Sequence, residues 1–355
     1  MNDGRRTFAA SLFSLLLPIE KQTITMMDFR TKVELPVRLP SVGHKKPILL
    51  MGSCFAENIG RLLAESKFDV DINPFGILYN PLSVAKALRD ILQGREYKAG
   101  DLFFYNDRWH SPMHHGSFSD ASPDAVLERV NARLRRSRDY LRKADWLMLT
   151  WGTAYVYEEK ETGGVVSNCH KRPERLFRRR LLTAEETAEE YLELITMLRE
   201  LNPRLKILFT VSPIRHARDG MHANQISKAT LLLAADRLQQ RLPEQVFYFP
   251  SYEIMMDELR DYRFYADDML HPSPLAVRYL WECFAETFFS SATKQIIAAV
   301  EEIRRDLEHR PFHPGSEAYQ RFLGQIVLKI ERLNGKYPYL DFRKETETCH
   351  TRLNP

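Results

Sequence analysis

Ile48-Leu49-Leu50-Met51-Gly52-Ser53-Cys54-Phe55-Ala56 is the stretch on which the reading of the fold turns. Four apolar residues without a polar break mark a strand buried on both faces. Gly52-Ser53 ends it, and the period then changes. Ile59, Leu62 and Leu63 recur at helical spacing in a helix that closes around Lys67. Ser53 therefore stands at a strand-to-helix turn. The strand signal returns at Trp146 to Thr150, before Trp151-Gly152-Thr153, at Leu205 to Val211, before Ser212-Pro213, and at Val246 to Pro250, before Ser251-Tyr252. Helical patterns fill residues 124–143, 183–200 and 223–241, the second opening on Thr183-x-x-Glu186, a capping box. Strands alternating with helices predict an α/β fold, a mostly parallel sheet covered on both sides. In such sheets ligands bind beyond the carboxyl ends of the strands, where Ser53, Gly152, Ser212 and Ser251 would emerge.

Two segments break the alternation. Residues 95–120 are rich in aromatics and histidine, and residues 158–182 run from Gly163-Gly164 into a basic stretch; both read as long loops. From residue 291 the chain is helical and charged, with a break at Arg310 to Pro314. The organisation expected is an N-terminal extension (1–27), an α/β domain (28–290) and a helical C-terminal region (291–355). Arg5-Arg6 and the apolar run Phe8 to Leu17 resemble a short signal peptide, too short to span a bilayer, which takes about 20 apolar residues. No small-x-small site follows, and Met26-Met27 precede a natural-looking beginning. An over-extended start and an export signal both fit. The expected location is the cytoplasm, with export if the segment acts as a signal. No stable membrane anchor is expected.

Composition excludes more than it selects. The 355 residues are 44% hydrophobic and 28% charged with a formal charge of +4, which calls for neither nucleic acid nor an anionic membrane. Four scattered cysteines, without a C-x-x-C pair, read as reduced thiols.

A serine hydroxyl is a weak nucleophile until a base takes its proton, and the base needs a carboxylate to orient it. Asp268 and His271 stand in a D-x-x-H spacing on a loop ahead of Pro272 and Pro274. One turn can hold the carboxylate against one imidazole nitrogen while the other faces the serine. The plainer alternatives are that Asp268 caps a turn and that Ser53 is a helix N-cap.

A serine after the first core strand and D-x-x-H after the last is the chain order of the SGNH or GDSL-like hydrolases. Gly52-Ser53-Cys54-Phe55-Ala56 further resembles the motif that names the GSCFA-domain family, a group allied to those hydrolases. Asn73 to Pro81 resembles the family's second block and Leu149 to Ala154 its third; Asn168 to Lys171, Val211 to His216 and Asp268 to Pro272 also fit. The resemblance implies a three-layer α/β/α SGNH-like fold, a Ser53 nucleophile, a His271 base and an Asp268 orienter. It implies an oxyanion hole from the N–H of Ser53, Gly76 (or Asn80) and the third block. That block departs from pattern, since Gly152-Thr153-Ala154 stands where G-x-N-D would be. Losing one such donor typically costs about 10²–10³ in rate.

His110, His114 and His115, with His170 and His216, lack any zinc-type spacing. No metal and no cofactor is expected. Either His115, Tyr155, His170, Arg215 and His216 line a substrate pocket, Arg215 meeting an anionic or sugar-like group, or they tie loops together. The basic runs 133–138 and 171–180 sit among acidic neighbours and read as a solvated face or a patch for an acidic substrate. The function expected is hydrolysis of a small or carbohydrate ester. Acyl transfer through the same triad and a non-catalytic binding module are the alternatives.

Overall fold

The computed structural model describes residues 30–353. Its elements run β1 (Ile48–Gly52), α1 (Cys54–Glu65), β2 (Val70–Ile72), α2 (Pro81–Gln93), the hairpin β3 (Phe103–Tyr105) and β4 (Arg108–His110), α3 (Pro123–Lys143) and β5 (Trp146–Trp151). There follow β6 (Tyr155–Glu159), β7 (Val165–Val166), β8 (Phe177–Leu181), α4 (Ala184–Leu201), β9 (Lys206–Val211), α5 (Met221–Arg241), β10 (Val246–Tyr248) and a short α6 (Ser251–Glu253). The chain closes on α7 (Pro274–Phe288), α8 (Ser291–Glu308), α9 (Glu317–Lys336) and α10 (Arg343–Leu353).

Five strands form one wholly parallel sheet in the order β10-β9-β5-β1-β2. Side chains alternate across it, as the two-residue period of a strand requires. Ile48, Leu50, Trp146, Met148, Leu208 and Phe247 pack with Phe55, Ile59 and Leu63 of α1 and Leu280, Phe284 and Phe288 of α7. Leu49, Met51, Leu147, Leu149, Ile207 and Phe209 pack the other way, on Val84 and Leu88 of α2, Val130 of α3, Tyr191 and Leu198 of α4, and Leu231 and Leu238 of α5. Each such side chain, fully buried, contributes about 1.5–3 kcal/mol. Continuous apolar strands and helices on both faces are one physical fact. The result is a three-layer α/β/α sandwich.

Helices α8 to α10 close a further cluster of Val300, Ile303, Leu323, Ile326 and Cys349. Arg304–Glu65 (3.0 Å) and Lys67–Glu345 (2.6 Å) tie them to the α1 region. Lys32–Pro355 is one compact unit, in which this helical region keeps its own small core. The expected extension 1–27 lies outside the described residues. Among the described residues no helix is long and apolar enough to cross a membrane.

Both segments read as loops carry strands. Residues 155–181 form a three-stranded antiparallel sheet in the order β7-β6-β8, and residues 103–110 form a hairpin. The basic run escaped a strand reading because its charges are matched across the ladder. Glu158 lies in register with Arg178 and accepts from both Arg178 and Arg180. Of the capping box, the Thr183 hydroxyl does accept from the Glu186 N–H (3.0 Å), but the Glu186 carboxylate turns to Arg180 (2.7 and 2.8 Å).

Candidate active site

In the sheet order the chain leaves β1 toward β2 on one side and leaves β5 toward β9 on the other, so a crevice opens at the carboxyl ends of β1 and β5. Gly52 makes the exit from β1 possible. Its φ is +140°, and a Cβ there would sit 2.1 Å from the Thr150 carbonyl oxygen. The next residue, Ser53, is 1% exposed and caps α1, its Oγ accepting the Phe55 N–H at 3.3 Å.

The D-x-x-H loop holds its carboxylate against its own imidazole. Asp268 Oδ1 accepts the N–H groups of Leu270 and His271, both at 2.9 Å, while Oδ2 accepts from His271 Nδ1 at 2.5 Å. Turn cap and histidine orienter are thus the same carboxylate. Those bonds hold the Asp268 carboxyl down at about 2, below the ordinary range, the backbone N–H of His271 weighing most. With Nδ1–H engaged, Nε2 is the nitrogen left to accept a proton. No hydrogen bond joins Ser53 to His271 in this structure. Ser53 Oγ serves the helix cap, and His271 is half exposed.

One cavity of about 780 Å³ brings most of the sequence-predicted residues together: Ser53, Asn80, Thr153, His115, Tyr155, His170, Arg215, His216 and His271 line it. Gly76, Gly152 and Asp268 do not line it. Within the set, roles divide. His170 bonds the Ser111 carbonyl (2.8 Å) and packs at a tilt against the His110 ring, so it ties loops. Burial drops its pKa to about 4. His216 lies against Gly152, is pushed to about 4 mainly by burial, and its Nε2 has no partner among the described residues.

The amides expected as oxyanion donors have acceptors of their own in this structure. The N–H of Ser53 is given to the Thr150 carbonyl (3.1 Å) and that of Gly76 to Asn73 (2.7 Å). Those of Gly152 and Thr153 both go to the Tyr79 carbonyl (2.7 and 3.0 Å), and Thr153 Oγ1 pairs with Ser227 (3.1 Å). These bonds knit the strand ends into loops, so the amides are already committed. Gly76 is instead a steric requirement: φ is +76°, and a Cβ would meet that of His115 at 2.2 Å. Asn80 remains. Its Oδ1 caps α2 through the Ser83 N–H (2.8 Å), which leaves Nδ2 as a donor on the cavity wall. At the start of α1, Phe55, Ala56 and Glu57 give their N–H groups to Ser53, and the Cys54 N–H has no oxygen acceptor among the described residues.

Three contributors escaped sequence reading. Tyr79 acts through its carbonyl, and its ring lies in a T-shaped contact with His216. Cys54 lines the cavity beside the serine, its thiol pushed up chiefly by burial. Lys228 is 1% exposed and donates to the carbonyls of Gly152 (2.7 Å) and Ser212 (2.8 Å), clamping the ends of β5 and β9. Burial drops its pKa to about 7. A signal for Lys228 existed: it lies three residues before Leu231, on the apolar face of its helix.

Fold and crevice together define a doubly wound α/β/α protein with a serine at the topological switch point. A family model described as the GSCFA family matches residues 47–284, and one described as the GSCFA domain protein, C-terminal domain, matches residues 300–355. The chain belongs to the GSCFA family. Among solved structures it is similar to a family 3 carbohydrate esterase of Clostridium thermocellum, at 10% identity and a TM-score of 0.33 over 72% of this chain and 98% of that one. A carbohydrate esterase family 3 structure from Talaromyces cellulolyticus gives 11%, 0.33, 72% and 99%. An acetyl xylan esterase from Butyrivibrio proteoclasticus gives 9%, 0.34, 74% and 65%. A comparison with curated protein sequences returned no match.

Proposed function

We propose that the protein hydrolyses an ester through an acyl-enzyme on Ser53. The observation that carries this reading is that Ser53, capping α1 at the switch point, shares one cavity with a histidine whose Nδ1 is held by Asp268 at 2.5 Å. Ser53 Oγ attacks the acyl carbonyl carbon while His271 Nε2 takes its proton. The tetrahedral oxygen is met by Asn80 Nδ2 and the Cys54 N–H, the donors left uncommitted. His271 then protonates the departing alkoxide, and a water activated by the same nitrogen releases the acid. The reading requires the serine hydroxyl to leave its long 3.3 Å cap bond for His271.

A small or carbohydrate O-acyl ester is the proposed substrate class. The same acyl-enzyme given an acceptor hydroxyl in place of water would make a transferase, which product analysis with acceptor sugars separates. A non-catalytic binding module is the second reading, favoured by the committed amides of Ser53, Gly76, Gly152 and Thr153. The test is turnover of short-chain aryl and sugar acetates by the wild type against Ser53→Ala and His271→Ala. Loss in both variants supports the hydrolase; wild-type turnover equal to theirs supports the binding module.

A further inference from the structure

The same cavity carries charge that the triad does not use. Its lining holds five cationic side chains (Lys171, Arg172, Arg179, Arg215 and Arg218) against two carboxylates, Glu174 and Asp219. Three of the four arginines are spoken for. Arg172 pairs with Glu159, Arg179 with Asp219 and Arg218 with Glu174, and Arg179 also lies 3.9 Å over the Tyr155 ring. Arg215, half-buried, makes no ion pair or hydrogen bond among the described residues. Three residues earlier on the same loop is Ser212, 0% exposed, also on the cavity wall, whose Oγ has no partner among the described residues. A buried hydroxyl without a partner costs about 1–3 kcal/mol, so its place on the cavity wall points to a group that enters the cavity and bonds it.

Resting on the esterase reading, we propose that the substrate carries a carboxylate besides its ester, held by the Arg215 guanidinium and the Ser212 hydroxyl. A guanidinium presents a planar fork that matches a carboxylate with two parallel bonds. Lys228, a buried cation nearby, already spends its donors on the Gly152 and Ser212 carbonyls. Lys171, the other cation of the lining without an ion pair among the described residues, is exposed, so Arg215 is the one half-buried positive charge left uncommitted there. With a neutral donor beside it, it balances one negative charge, which favours a carboxylate over a phosphate dianion. The volume of about 780 Å³ takes an acidic sugar or a dicarboxylic half-ester with room at Ser53.

The experiment compares matched esters. Carboxylate on the alcohol side is tested with O-acetyl methyl glucuronoside against O-acetyl methyl glucoside, and on the acyl side with the 4-nitrophenyl half-ester of glutaric acid against 4-nitrophenyl valerate. The wild type should favour one charged member in kcat/KM, and Arg215→Gln should cut that preference about 10- to 100-fold, as loss of charge-assisted hydrogen bonds does. A wild-type preference for both neutral esters, or an unchanged preference in Arg215→Gln, overturns the proposal. A second arm needs no turnover: methyl glucuronoside and glutarate are titrated in thermal-shift assays against methyl glucoside and against inorganic phosphate. A Tm rise with a carboxylate that exceeds the rise with phosphate and is lost in Arg215→Gln supports the subsite even when Ser53 proves inert. No such rise, or a larger one with phosphate, rejects it.

Discussion

Lys228→Met offers a sharp physical test, because the lysine is buried, bonded and titratable at once. Its Nζ lies 2.7 and 2.8 Å from two carbonyls, yet burial drops its pKa to about 7 from an ordinary value of 10.5. The sign follows from proton counting. Between those two values the unfolded chain holds a proton that the folded chain has released, so stability rises with pH across that window. Each pH unit crossed inside the window adds about 1.4 kcal/mol once the folded lysine is fully neutral. With the folded lysine half neutral at pH 7, the gain from pH 7 to pH 9 is about 2 kcal/mol. Methionine fills similar volume and cannot titrate, so the variant should lack this increment. It also strands two carbonyls at the ends of β5 and β9, which should loosen the Gly152 and Ser212 loops. The assay is urea denaturation of both proteins at pH 7, 8 and 9. The difference between their unfolding free energies should change by about 2 kcal/mol over the range. Parallel pH profiles would refute the reasoning, since they would mean that the carbonyl pair keeps the ammonium charged throughout.

Asn80→Asp should keep the α2 cap, since aspartate caps as well as asparagine, while removing the Nδ2 donor. The expected result is a kcat loss of about 10²–10³ with little change in Tm, read by steady-state kinetics and calorimetry. Asp268→Asn preserves an acceptor for the Leu270 and His271 N–H groups but lets His271 take the wrong tautomer. Ester turnover should fall about 10²–10⁴-fold. Gly52→Ala places a methyl 2.1 Å from the Thr150 carbonyl at φ +140°, and should destabilise by about 2 kcal/mol or more in thermal denaturation. His114, 1% exposed and pushed by burial to about 3, stays neutral in the fold while the unfolded chain gains a proton below about pH 6.5. The His114 share of the stability lost from pH 7 to pH 5 is therefore about 2 kcal/mol, added to that of the other buried histidines, and His114→Phe should shrink the loss by that amount in denaturant titrations at both pH values.

The sheet was legible where burial is two-sided. Ile48 to Met51 and Trp146 to Thr150 carry no polar residue that needs explaining, and their strands lie where the apolar runs do. Strand β2 was not legible. It is three residues long with Asp71 at its centre, a buried carboxylate satisfied by Arg133 (2.6 and 3.0 Å) from a helix distant in the chain. The antiparallel sheet β6–β8 was hidden similarly, since Phe177-Arg178-Arg179-Arg180-Leu181 reads as a basic coil until Glu158 is placed across from it. At the site, side chains that reach the cavity could be named from motif blocks. The backbone could not: that the Tyr79 carbonyl takes both the Gly152 and Thr153 N–H groups depends on how two loops meet. The departure at Gly152-Thr153 was visible in the sequence, and its consequence is geometric. On the proposed reading, the donor role shifts to Asn80 and the head of α1.

On the proposed mechanism Ser53 is a nucleophile and not only a helix cap. The most direct measurement of that role is labelling with a fluorophosphonate, followed by peptide mass spectrometry, on the wild type, Ser53→Ala and His271→Ala. One adduct is expected, on Ser53, absent from Ser53→Ala and strongly slowed in His271→Ala. A wild-type protein that stays unlabelled, or that labels at the same rate without His271, would contradict the mechanism.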